Sequence, residues 1–121
     1  MKYLLAMLFF SVSALCFSQA DCKFLKDCEL KYADDSTTRL VIKDNKHTEY
    51  LQDGKYLIKS DLVWVNDCEY NATLTEVTLP EFPFKPGEVM NVKFEKIDGK
   101  NISAKCSVRG KEFPVSFVRV K

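Results

Sequence analysis

The stretch 62-LVWVNDCEYNATL-74 decides how this chain folds. With the backbone extended, Leu62, Trp64, Cys68, Tyr70, Ala72 and Leu74 share one parity, and Glu69, Asn71, Thr73 and Thr75 take the other. Successive side chains of an extended chain point to opposite faces, so this is the alternation of a half-buried strand. We read one long central element, interrupted at Asn66-Asp67 before Cys68 and completed by Glu69 to Thr78. Upstream, the apolar run Leu62 to Val65 is preceded by Ser60-Asp61, where a bend or bulge is expected.

The same pattern recurs outward in both directions. Cys28 to Tyr32, Thr38 to Lys43 and His47 to Gln52 are short strands, separated by a polar turn at Ala33 to Thr37 and a tight turn at Asp44-Asn45-Lys46. Asp53-Gly54 is a strong hairpin signal, since a type I′ turn needs positive φ at both central positions. After the central element, Leu79 to Gly87 carries Pro80, Pro83 and Pro86 and cannot hold a ladder or a helix. Val89 to Ile97, Ile102 to Val108 and Glu112 to Val120 then alternate around turns at Asp98-Gly99 and Arg109-Gly110. About eight short strands with short connections and no helical periodicity predict an all-β antiparallel meander, either a closed or a partly open barrel of the lipocalin-like kind. Closure removes strand edges, which favours the barrel.

At the N-terminus, Met1-Lys2 is followed by an apolar run from Tyr3 to Phe17 and by Ser18-Gln19-Ala20, which resembles a cleavage site. We read residues 1–20 as a secretory signal peptide, and residues 21–121 as one β domain. Loss of Lys2 brings the 18 basic residues level with the 17 acidic ones. A neutral chain lacks the concentrated basic face that nucleic acid requires, and it points to no membrane partner. The expected location is exported: periplasm, cell surface or secreted.

Four cysteines follow the leader, Cys22, Cys28, Cys68 and Cys106. An even count in an exported chain predicts two disulfides, whereas no ligand spacing suits zinc. Three pairings are open. Closure of long loops favours Cys22 with Cys68 and Cys28 with Cys106, because it removes more unfolded-state entropy.

Enzymatic readings fail by absence. His47 is the only histidine and sits in the polar run Lys46-His47-Thr48-Glu49, which reads as an exposed surface. No nucleophile elbow, phosphate loop or dinucleotide fingerprint is present, and no carboxylate pair sits in an apolar context. No catalytic residue, cofactor or metal is expected. Binding readings rest on aromatics. Trp64, Tyr70, Phe94 and Phe117 are candidates either to line a ligand site inside the barrel or to fill its core. Phe82 and Phe84, in Pro80-Glu81-Phe82-Pro83-Phe84-Lys85-Pro86, either plug an open end or form a partner-binding patch. Asn71-Ala72-Thr73 and Asn101-Ile102-Ser103 match glycosylation sequons, which we read as coincidence beside a bacterial-type leader. Ser36, in Asp35-Ser36-Thr37, fits a short O-glycosylation motif of exported Bacteroidetes proteins.

Together these residues resemble a family of small exported flavobacterial proteins, over nearly all of the mature chain. The leader ending Phe17-Ser18-Gln19 is typical of that group. The resemblance is carried further by Cys22-Lys23-Phe24, Tyr32, Arg39, the block Val63 to Tyr70, the strand Gly87-x-x-Met90-x-Val92 and the pair Lys105-Cys106. Where relatives carry K-x-G before the first strand, this chain has Lys26-Asp27-Cys28, with an additional Cys. Relatives are often named DNA topoisomerase IV. A neutral exported domain of this size has no nucleotide site or cationic DNA path, so that name does not carry over. The resemblance implies an exported β domain and assigns no activity. The functional expectation is a non-catalytic structural or protein-interaction module with an envelope protein as partner; the alternative is a lipocalin-like binder of a small apolar ligand.

Overall fold

The computed structural model describes residues 22–121, and the segment 1–20 read above as a signal peptide lies outside the described residues. Eight strands follow a short 3-10 segment, Lys23–Lys26. They are β1 (Cys28–Tyr32), β2 (Asp35–Lys43), β3 (Lys46–Leu51), β4 (Tyr56–Asn66), β5 (Glu69–Val77), β6 (Val89–Asp98), β7 (Asn101–Val108) and β8 (Lys111–Arg119). Each strand pairs antiparallel with its successor, and β8 returns to β1, so the meander closes into a barrel.

The turns follow from residue chemistry. Asp44 and Asn45 both have positive φ between the paired Lys43 and Lys46, as a two-residue hairpin turn with right-handed strand twist demands. Arg109 and Gly110 do the same between Val108 and Lys111. The bulge expected near Ser60-Asp61 is present as a register shift between Lys59 and Ser60.

The central stretch is not one strand. Asn66 to Cys68 reverses the chain, and the Asn66 side-chain oxygen accepts a hydrogen bond from the Cys68 backbone N–H at 2.8 Å. That local bond offers the backbone a turn in place of the ladder. Trp64 and Tyr70 thereby become directly opposed on adjacent strands, with rings 5.0 Å apart edge to face. Inward parity survives because the reversal falls between two inward-facing residues.

One end of the barrel is closed. Leu25 of the 3-10 segment is fully buried, packed in one cluster with Leu30, Leu40, Ile42, Tyr70 and Phe94. A disulfide between Cys22 and Cys68 ties this segment to the β4–β5 turn. The guanidinium of Arg119 lies 4.0 Å over the Phe24 ring on the outside, and Lys26 pairs with Asp67.

The expected second disulfide is absent: Cys28 and Cys106 are free and buried. Register explains this. Tyr32 pairs with Phe117 and Phe117 with Ile102, and from that common level Cys28 lies four residues towards the closed end and Cys106 four residues towards the open end. No inward tilt of side chains spans that gap, since bridged Cα atoms lie only about 6 Å apart.

The β8–β1 seam is the shortest ladder. Only Leu30–Arg119, Lys31–Val118 and Tyr32–Phe117 are paired strand to strand, continued by a hydrogen bond from Ala33 N–H to the Ser116 carbonyl at 2.9 Å. Lys111 to Val115 has β7 alone as a strand neighbour among the described residues. Pro114, which has no N–H to offer a ladder, sits in that half-edge.

Candidate functional site

The open end of the barrel holds a cavity of about 200 Å³. Its walls are apolar: Ile58 from β4, Ala72 and Leu74 from β5, Met90 from β6 and Val108 from β7. Phe82 and Phe84 of the proline-rich loop reach its mouth, where their rings pack edge to face with centroids 5.5 Å apart. Arg109 holds this loop from the opposite turn. Its guanidinium stacks 5.0 Å over Phe84, donates to the Pro83 carbonyl at 3.2 Å and clamps Glu88 through two nitrogens. This bidentate pair holds the Glu88 carboxyl below the usual range.

The inner end is polar. Tyr32, His47, Glu49, Ser60 and Cys106 line it. Glu49 Oε2 accepts from the Tyr32 hydroxyl at 2.8 Å and lies 3.0 Å from His47 Nε2, while His47 Nδ1 lies 2.8 Å from the Tyr70 hydroxyl. The chain Tyr70–His47–Glu49–Tyr32 thus spans three strands, separating the cavity from the packed aromatics below. Its protons follow from the partners. A carboxylate only accepts, so Nε2 carries hydrogen. Tyr70 is fully buried, and the 2.8 Å contact with His47 Nδ1 is its hydroxyl's one hydrogen-bond contact among the described residues.

Burial opposes ionisation of Glu49, but the hydrogen bond and charge interaction with His47, together with the Tyr32 hydroxyl, outweigh it. The Glu49 carboxyl is therefore held below its ordinary value. Burial, with Glu49 beside it, drives the Tyr32 hydroxyl far above the ordinary tyrosine range. Cys106 is pushed up to about 12 by burial and by Glu49, and Cys28 to about 12 by burial. Both thiols are therefore protonated and poor nucleophiles at neutral pH.

His47 corrects the sequence reading. It is 4% exposed and faces inward, so it is no surface residue. The physical reason is that β3 carries polar side chains on both parities: His47 and Glu49 turn inward, whereas Thr48 and Tyr50 do not, and Tyr50 stacks under Arg39 outside. The usable signal was the parity shared by His47 and Glu49, which places both on one face. Trp64, Tyr70, Phe94 and Phe117 do come together, as a chain of ring contacts with centroids 5.0 to 6.2 Å apart. They fill the closed half, and none of them lines the cavity. Ser36 is exposed at the start of β2, beside Asp35, whose carboxylate accepts from Thr37 and Thr38. Among the described residues no group of three or more His, Cys, Asp or Glu is placed to hold a metal ion.

Comparison of the chain with protein-family models, with curated proteins and with solved structures found no match.

Proposed function

We propose that the protein is an exported, non-catalytic barrel that takes up a small, largely apolar molecule through its open end. The observation that carries this reading is the cavity of about 200 Å³ with apolar walls, an aromatic mouth and a few converging polar groups at its base. Eight-stranded barrels are of the size that either fills with side chains or holds one small ligand, and this one divides the two uses between its ends. Export is supported by the Cys22–Cys68 disulfide, a bond that persists in oxidising compartments. Absence of catalysis is supported by the state of the polar groups. Both His47 nitrogens are engaged in the wall, and the Cys106 thiol is held protonated, so neither is poised as base or nucleophile.

The interaction-module reading seats its partner on an open strand edge or on the loop Leu79 to Gly87, through Phe82 and Phe84 standing outward. Both are half-buried at the mouth of the cavity, so ligand binding ranks ahead of it. The test is an amide-resonance titration of isotope-labelled protein with a panel of single-ring aromatic and short alkyl compounds. Shifts confined to Ala72, Leu74, Met90, Cys106 and Val108, and abolished by Ala72→Leu, are the expected result. Shifts gathered on the outer face around Val63 and Val65, or none at all, would sink the reading.

A further inference from the structure

Resting on the cavity reading above, the geometry points to a ligand of defined chemistry: a small primary ammonium compound with an apolar body of single-ring size, its cationic head seated on Glu49.

Three observations converge on this class. The first is an acceptor with spare capacity. Glu49 lines the cavity with a side chain only 13% exposed, and both of its hydrogen bonds fall on Oε2. Oε1 takes none among the described residues. A carboxylate has about four lone-pair sites, so one whole oxygen is left for a donor from the cavity. The Glu49 carboxyl is held ionised away from water, and a buried charge gains most from a partner that arrives already positive. Ser60, on the neighbouring strand and directly opposite His47, is 7% exposed and lines the same space, and its hydroxyl makes no hydrogen bond among the described residues. An ammonium has three donors: Glu49 Oε1 and Ser60 Oγ can accept two of them.

The second observation excludes the opposite charge. No Lys or Arg lines the cavity. The one guanidinium near its mouth, Arg109, is neutralised by the bidentate Glu88. A fatty acid or other carboxylate would bring a second negative charge towards Glu49 with no Lys or Arg lining the cavity to balance it, and like charges brought together away from water repel strongly.

The third is size. An apolar protein cavity of about 150 Å³ accommodates benzene, so about 200 Å³ fits one ring with a short side chain. That is below the range for drug-sized ligands, about 300–1,000 Å³. The walls of Ile58, Leu74, Met90 and Val108 suit a hydrocarbon body, and Phe82 and Phe84 cover it from the mouth.

Three probes of matched length separate the possibilities: 2-phenylethylamine, propylbenzene and 3-phenylpropanoate. Each is titrated calorimetrically into disulfide-intact protein at neutral pH and low salt. The amine is expected to bind at least about tenfold more tightly than the hydrocarbon, and the acid more weakly than both, since charge complementarity at a desolvated site is worth a factor of this order or more. Glu49→Gln should bring the amine down to the level of the hydrocarbon while propylbenzene still binds, which also shows that the variant cavity is intact. Should that variant fail to fold, Ser60→Ala serves instead, with a loss of about threefold for the amine alone. If propylbenzene binds and the amine gains nothing over it, or if the amine's advantage survives Glu49→Gln, the ammonium assignment is overturned and the cavity reading stands. If none of the three binds, both fall.

Discussion

Glu49 is the residue on which the polar end of the cavity turns, and its protonation is linked to folding. Its folded-state pKa lies below the ordinary 4.5, so the folded protein holds this proton less tightly than the unfolded chain. The stability it contributes is therefore fully present above that value and drains away as pH falls through the folded pKa. Glu49→Gln removes the ionisation, so the variant is expected to lose less stability than wild type as pH drops below about 4.5. At neutral pH the same variant is expected to be less stable by roughly 1–3 kcal/mol, since two hydrogen bonds to a charged acceptor become bonds to an amide. Urea midpoints at pH 7 and across the acid range check both statements, and identical acid profiles would mean that Glu49 is not ionised in the fold. Of this, Lys46-His47-Thr48-Glu49 shows only that His47 and Glu49 share a face, not that the face is buried. A polar strand buries one of its two faces only because of what stands opposite, and there the opposite residues are Ser60, Tyr70 and Tyr32, each distant in sequence.

Among elements, the hairpins were the most readable, because their chemistry is local. Asp44-Asn45 and Arg109-Gly110 supply positive φ within two residues, and the strand boundaries around them follow. The Asn66–Cys68 reversal was harder to see. The inward parity runs unbroken through Trp64, Cys68 and Tyr70, so periodicity alone joins what the Asn66 side chain divides. The 3-10 segment was invisible as a closure, since Leu25 declares itself as core only once the barrel has an end to plug. What keeps it there is covalent: Cys22 and Cys68 lie 46 positions apart. In the chain-entropy model a loop of this size contributes about 4 kcal/mol through the unfolded state. The double variant Cys22→Ser, Cys68→Ser is thus expected to unfold at a markedly lower denaturant concentration, by an equivalent of about 4 kcal/mol, and a reducing agent should shift wild type by the same amount and leave the variant unmoved. A shift of reduced wild type well short of this would show that Leu25 seats itself without the tether.

For the molecule as a whole, closure was anticipated and its unevenness was not. Seven ladders join strands that are neighbours in sequence, and their partners are brought together by turns of a few residues or by the single proline-rich loop. The eighth joins Leu30 to Arg119, almost the full length of the described chain, through three strand pairs. Loop closure between distant residues is the slow, entropically opposed part of building a sheet. The meander is therefore expected to assemble first as an open curl, with its two margins meeting last. A substitution that weakens the seam, such as Val118→Gly at a position paired in both ladders of β8, should then accelerate unfolding while leaving the refolding rate nearly unchanged, the behaviour of contacts absent from the transition state. Stopped-flow fluorescence of Trp64, which lies on β4 far from the seam in strand order, would follow both limbs. Slower refolding would place the seam in the nucleus. Pro114 acquires a temporal meaning from this order. During the interval before the margins meet, β8 is a bare strand, and a residue that cannot donate a hydrogen bond there discourages a neighbouring chain from completing the sheet in β1's place.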